Sequence, residues 1–314
     1  MCKTPILLIT FNRPDHTQRV LTEILKQEPQ ELYVCQDGPR EGNENDRIKV
    51  QEVRDVINEL TSAYKASHPN FTLYTLHSTQ NLGCGPGPAA GINWFFENVE
   101  QGIVMEDDCL PHPDFFRYCD ELLARYKDNE QIQFINSTLY HNRWQCEGSY
   151  GFSHYMVTGA WAAWRRTWQG FDLDLHTLDA WKFRKQVIRL THNYADANWW
   201  YFKVKEIQHD TSKKSYWDYQ MQILLFMHEA FTIHPIVNLI SNIGFDAEGT
   251  HTTWNDGRGD KSVFPILPLQ HPSAIKVDKD MDASCFAKRQ SRGWLIDTLS
   301  FIKHLVKNKR KISD

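Results

Sequence analysis

The chain of 314 residues has no excess of positive charge: 35 Lys and Arg stand against 39 Asp and Glu, for a formal net charge of −4. No overall basic field is present to hold a polyphosphate backbone, so nucleic-acid binders drop out first. Cysteine is sparse and unpatterned. The seven, at positions 2, 35, 84, 109, 119, 146 and 285, contain no C-x-x-C pair, and an odd number leaves one over in any full disulfide scheme. Reduced thiols in a cytoplasmic setting are the expectation. Long apolar runs are missing too. Pro5-Ile6-Leu7-Leu8-Ile9 is of strand length, too short for the apolar part of a signal peptide or for a membrane span. The glycine-rich stretch Asn81-Leu82-Gly83-Cys84-Gly85-Pro86-Gly87-Pro88 lacks both the G-x-G-x-x-G spacing of a dinucleotide site and the G-K-[ST] ending of a P-loop.

What is present suits one large α/β domain with appended elements. Ile6 to Phe11 reads as a strand, and Asn12-Arg13-Pro14-Asp15 as a helix start with Asn12 as cap and Pro14 near the first helical position. Glu31 to Gln36 repeats the strand signal, ends in Asp37-Gly38-Pro39-Arg40, and leads into a long amphipathic segment, Asn45 to Ala66. Phe71 to Leu76 is a third strand. The glycine and proline loop then opens a helix from about Ala89 to Asn98. It is either a tight turn or a place where backbone approaches a nucleotide closely. Gly102 to Met105 is a fourth strand. Four strand-helix units in series predict a mostly parallel, doubly wound sheet of Rossmann-like units flanked by helices. Ligands of such sheets sit at the carboxyl ends of the strands. Those ends carry Phe11-Asn12-Arg13, Asp37 to Arg40, the 81–88 loop and Glu106-Asp107-Asp108.

The acidic triplet is the most informative of these. Three consecutive carboxylates leaving an apolar strand repel one another and lose hydration, so they call for a cation or for hydrogen-bond donors. A magnesium or manganese ion carrying a diphosphate is one candidate, and a hydrated acidic turn is the other.

Beyond it, Pro113 to Tyr126 reads as an amphipathic helix and Gln133 to Asn136 as a short strand. Tyr150 to Trp168 has a strand-like start, a break at Gly159 and a Trp-rich stretch with helical character. His176 to His209 reads as helical, as does Tyr216 to Glu229 with Asp218 in its first turn. Asp218 is either a helix-start acid or a partly desolvated general base between Trp217 and Tyr219. Aromatic residues make up 13% of the chain, with 11 Trp, many in this half; core is their default place and sugar stacking the alternative. The stretch from Gly293 to Lys311 pairs an apolar face with Lys303, Lys307, Lys309, Arg310 and Lys311. Such a helix can lie on an anionic membrane surface or stay solvated.

The order strand, T-F-N-R-P, strand, Q-D-G, N-L-G, strand, E-D-D-C-L-x-x-P-D-F-F resembles the nucleotide-sugar glycosyltransferases of the GT-A fold. Val104 to Tyr118, VMEDDCLPHPDFFRY, is similar to the metal-binding segment of N-acetylglucosaminyltransferase I and its bacterial relatives. Gly159 to Trp164 is similar to the acceptor-side segment of that family, and Tyr216-Trp217-Asp218 to its catalytic Trp-Asp. The resemblance spans roughly Pro5 to Thr253 and implies three regions: a donor-binding half over 1–140, an acceptor-binding and catalytic half over 141–275, and a basic tail over 276–314. It implies a metal-dependent inverting transfer from a UDP-sugar to a hydroxyl of a glycan or glycolipid, with Mn2+ or Mg2+. Asp108 would be the direct metal ligand, and Glu106 and Asp107 would face the ribose and sugar of the donor. Asp37 would accept from the uracil ring, and Arg13 would lie against the nucleotide, beside Phe11, Asn81 and Gly83. Asp218 would be the base. His251 falls where many such enzymes place a late diphosphate or metal contact, and a structural role fits it equally. One departure is plain: relatives often carry a basic or imidazole side chain on the helix after the glycine loop, where this chain has Pro88-Ala89-Ala90-Gly91. Two other classes stay open at this point. A nucleotide-sugar pyrophosphorylase or other nucleotidyltransferase would be expected to carry a glycine and basic loop beside the first strand, and a non-catalytic carbohydrate-binding protein would leave the acidic triplet unexplained.

Overall fold

Eight strands form one sheet in the order β3-β2-β1-β4-β8-β6-β9-β7. The structure is a computed structural model that describes residues 1–139, 144–209, 216–244 and 262–289. Along the chain run β1 (Ile6–Thr10), α1 (Pro14–Leu25), β2 (Glu31–Gln36), α2 (Glu44–Ser67), β3 (Thr72–His77), α3 (Pro86–Asn98) and β4 (Gln101–Glu106). Then come β5 (Cys109–Pro111), α4 (Asp114–Arg125), β6 (Ile132–Asn136), β7 (Tyr150–Ser153), β8 (Ala160–Trp164) and α5 (Arg165–Trp168). The last described elements are α6 (Ala180–Thr191), α7 (Tyr194–His209), α8 (Asp218–Met227), β9 (Phe231–Pro235), β10 (Ile240–Asn242) and α9 (Lys279–Arg289).

The first four strands pair in parallel as expected. Register decides what they present. Ile9 of β1 lies opposite Cys35 of β2 on one side and Glu106 of β4 on the other. The carboxyl ends of these strands are therefore level, and the segments that follow them emerge side by side. The chain runs outward from β1 to β2 and β3, then crosses back to β4 on the opposite flank of β1. That reversal opens a crevice above the β1–β4 pair.

The far half of the sheet is mixed. β8 runs antiparallel between β4 and β6, β9 is parallel to β6, and β7 closes the edge antiparallel to β9. Six of the eight strands share one direction, so the sheet is mostly parallel. The helical reading of the Trp-rich stretch is corrected here: Ala160–Trp164 is a central strand, and only the four residues Arg165–Trp168 are helical. Ala160, Ala162 and Trp164 join the core on one face, and Trp161 and Ala163 the core on the other. Burial on both faces of a sheet removes the polar alternation that marks a strand, leaving an apolar run that also fits a helix. Gly159, just before this strand, is at φ +121°, a backbone conformation that side chains rarely allow.

Two smaller corrections concern helix starts. Arg13, not Asn12, is the residue before α1, and the Asn12 amide instead donates to Asp46 Oδ1 at 2.8 Å. α3 begins at Pro86, inside the glycine loop, because the proline's fixed φ suits a first turn. The segment His176 to His209 is two helices, separated at His192 in the left-handed conformation. All seven cysteines are free. Among the described residues no helix is long and apolar enough to cross a membrane. His251 and the basic stretch from Gly293 to Lys311 lie outside the described residues.

Candidate active site

Asp37 organises the first wall of the crevice. Its Oδ1 accepts from the Gly38 N–H at 2.9 Å and the Leu82 N–H at 2.8 Å, and its Oδ2 from the Gly83 N–H and the Asn81 amide, both at 3.0 Å. Four donors use up the ordinary capacity of a carboxylate. Asp37 thus ties the glycine loop to the end of β2, with Gly83 at φ +83° making the turn. Burial raises its pKa while the three N–H donors pull it down. Helix α3 then presses on β2 through glycines one turn apart: a Cβ on Gly87 would stand 3.3 Å from Asp37 Oδ2, and one on Gly91 only 2.5 Å from Cys35 Sγ. That packing leaves no room for a side chain at Gly91.

The acidic triplet forms the floor. Asp107 is buried and Asp108 nearly so, with side-chain exposures of 10% and 15%. Asp107 Oδ2 accepts a long bond from the Phe11 N–H at 3.4 Å, and Arg13 Nη1 lies 3.7 Å from Asp107 Oδ1 and 3.2 Å from Asp108 Oδ2. Loss of hydration and then repulsion from Asp108, Asp107 and Asp218 drive Glu106 well above the usual carboxylate range, against Arg13. Burial, followed by Asp108, pushes Asp107 up to about 7. Among the described residues lining the cleft the cations are Arg13 and Arg40, and Arg40 is committed elsewhere. Its Nε is 2.5 Å from Asp46 Oδ2 and its Nη2 is 2.8 Å from Asp46 Oδ1, while its guanidinium lies 5.7 Å from the Phe11 ring centre.

A third wall comes from the second half. Asp218 is the first residue of α8 and, with Tyr216, Trp217 and Thr158, lines the same cavity of about 440 Å³ as Arg13, Asp37, Asn81, Gly83 and the triplet. Its charge reaches Glu106. β10 pairs antiparallel with β5, Ile243 N–H donates to the Asp108 carbonyl at 2.8 Å, and Gly244 lies so near Asp108 that an added Cβ would collide with Oδ2. Asn242, Gly244 and Thr158 are cleft residues that no local sequence pattern marks; they arrive by strand pairing over long separations.

The donor set fits a hard divalent ion. Among the described residues the three carboxylates share one guanidinium, burial and then mutual repulsion raise the pKa values of Glu106 and Asp107, and glycine at 244 keeps the approach to Asp108 open. Among the described residues Asp172, Asp174 and His176 bring three ligand atoms within 4.8 Å of one another, and the triplet does not. Those three belong to a turn in which Asp172 accepts from the N–H groups of Asp174 and His176. They do not line the cleft.

No family model and no curated protein matches the chain. Solved structures share parts of its outline. A mannosyltransferase, PcManGT from Pyrobaculum calidifontis in complex with GDP-Man and Mn2+, is 12% identical over 72% of this chain and 70% of its own, with a TM-score of 0.40. TarS 1–349 of S. aureus is 10% identical over 67% of this chain and 73% of its own, at 0.36. An apo UDP-glucose pyrophosphorylase is 10% identical over 79% of this chain and 95% of its own, at 0.39. Overlaps of that size leave any functional reading to the residues of the cleft.

Proposed function

We propose that this chain is a metal-dependent inverting glycosyltransferase of GT-A type, moving a sugar from a nucleoside diphosphate donor, a UDP-sugar, to a hydroxyl of a glycan or glycolipid. The observation that carries this reading is the meeting of Asp108, at the end of β4, and Asp218, at the start of α8, in one cleft above the β1–β4 switch. Residues 1–140 hold the donor in this reading, and residues 141–275 bring the acceptor and the base.

Asp108 would hold Mn2+ or Mg2+ with water and phosphate oxygens filling the remaining positions. When bound, the ion offsets charge growing on the departing diphosphate. Asp218 takes the proton of the acceptor hydroxyl as that oxygen attacks the anomeric carbon from the face opposite the leaving group. Arg13 and the N–H groups at the amino end of α1 lie on the phosphate side. The glycine loop, locked by Asp37, Asn81 and Gly83, shapes the wall against which the nucleotide lies. The engaged carboxylate of Asp37 favours this anchoring role over direct base recognition. Glu106 and Asp107 face the ribose and sugar.

The test is calorimetric titration with UDP and GDP, with and without Mn2+, followed by hydrolysis assays on a panel of nucleotide sugars. Metal-dependent nucleotide binding with slow donor hydrolysis is expected. Absence of binding at millimolar nucleotide would rule the reading out. Release of pyrophosphate from a nucleoside triphosphate and a sugar phosphate would reassign the cleft to nucleotidyl transfer.

A further inference from the structure

Arg13 sits on the oxygen that a metal ion would need. It is the residue before α1, its side chain is 12% exposed, and its Nη1 is 3.2 Å from Asp108 Oδ2 and 3.7 Å from Asp107 Oδ1. A guanidinium stays charged in proteins, so it cannot step aside by losing a proton. A divalent ion on the same carboxylate would meet that charge at contact range inside a recessed, poorly hydrated cleft. The other acids of the cleft offset part of that repulsion, and negative charge that enters with the ion and draws the guanidinium off Asp108 relieves the rest. A nucleoside diphosphate brings such charge, and its phosphate oxygens match the forked donors of Arg better than one carboxylate oxygen does. The Arg40 guanidinium is not an alternative partner for the acids, being held by buried Asp46 through two short bonds.

We propose that Arg13 is a resident counter-ion which keeps Asp108 from metal until nucleotide arrives, then moves onto the diphosphate, coupling nucleotide and metal binding through one side chain. The proposal rests on Asp108 as the metal ligand of the function above. Coupling of this kind is reciprocal: metal must tighten nucleotide by the same factor that nucleotide tightens metal.

The experiment follows free Mn2+ by electron paramagnetic resonance in titrations of the full chain, alone and with UDP or GDP. Wild type should bind Mn2+ weakly alone and about tenfold more tightly with nucleotide. Arg13→Met should bind Mn2+ alone about tenfold more tightly than wild type, while the gain on adding nucleotide shrinks to about twofold or less. Adding Asp108→Asn to that variant should abolish the gain, placing the ion at Asp108. Arg13→Lys, which keeps the charge, should stay near wild type and serves where Arg13→Met does not fold by thermal melting. If folded Arg13→Met binds Mn2+ no better than wild type while wild type still shows the nucleotide-dependent gain, the counter-ion role falls and the transferase reading stands. If wild type takes up no Mn2+ with either nucleotide, both fall.

Discussion

The cleft and the corner beneath α9 both bury carboxylates, and they neutralise them in opposite ways. In the corner the protein supplies the donors. Asp282 accepts from Ser153 Oγ at 2.6 Å, the His154 N–H at 2.9 Å and His154 Nδ1 at 2.7 Å, and Asp196 accepts from the Tyr155 hydroxyl. Among the described residues the three acids of the cleft have one shared guanidinium, a long backbone bond and the Cys109 thiol 3.4 Å from Asp108 Oδ1. Around Asp282 the network is complete as folded, as a structural polar network is, while Asp196 keeps its buried Oδ1 without a hydrogen bond. The cleft has negative charge left over, and that surplus is what an incoming cation would use.

The largest effects should separate the two by what is lost. Asp108→Ala and Asp218→Ala should each reduce sugar transfer by about a thousandfold or more in steady-state assays while leaving the thermal midpoint within about 2 °C. Transfer by Asp218→Ala at the wild-type rate would remove it as the base. Asp282→Ala should do the reverse. It strands the Ser153 hydroxyl and two His154 donors, at a cost of about 3 kcal/mol in denaturant unfolding, with donor hydrolysis per folded molecule unchanged. A corner variant that unfolds no more easily than wild type would mean that the network holds nothing.

A smaller effect sharpens the contrast. Glu106→Gln removes one of the mutually repelling acids from the cleft, so it should raise stability by about 1 kcal/mol at pH 8 in the absence of metal. Acids that destabilise the fold they sit in are retained for another use. A loss of stability in this variant would place the cleft in the same class as the corner.

The two halves also differ in how far the sequence discloses them. Glu31–Gln36 is a strand with the bounds its short β-rich run suggests, and the ends of β1, β2 and β4 meet as parallel winding requires. In that half each site segment directly follows its own strand, so the information is local. β8 is different. Its AWAAW run is apolar on both faces, and its place between β4 and β6 is set by pairing with residues about 25 to 60 positions earlier. Asn242 and Gly244 reach Asp108 in the same way, through β10 against β5. The acid triplet is legible as an anomaly of charge, whereas Asp37 gives no hint that three of its four donors come from the glycine loop. Side-chain direction inside a loop depends on neighbours that sequence spacing does not name.

Asp196 offers the finest test of the comparison, because it titrates outside the cleft. It is 1% exposed, and burial drives its pKa up to about 7 against the Tyr155 hydroxyl that favours the ionised form, with Asp282 adding repulsion. His154, His192 and Lys279 line the same corner. In the unfolded chain the group returns to its ordinary value of 3.8. Between about pH 4 and 7 the folded protein therefore holds a proton that the unfolded chain has released, and stability falls as pH rises through that window. Above it the contribution is flat. Asp196→Asn keeps an acceptor for Tyr155 and carries no charge to desolvate, so it should flatten the slope and gain on the order of 1–3 kcal/mol at pH 8. Urea unfolding at pH 5 and pH 8, with and without UDP and Mn2+, measures this directly. The Asp196 part of the slope should persist when those ligands are present, since the corner shares no residue with the cleft proposed to bind them. A slope that vanishes on adding nucleotide and metal to wild type, yet is unchanged in Asp196→Asn, would move the pH dependence from the corner to the cleft.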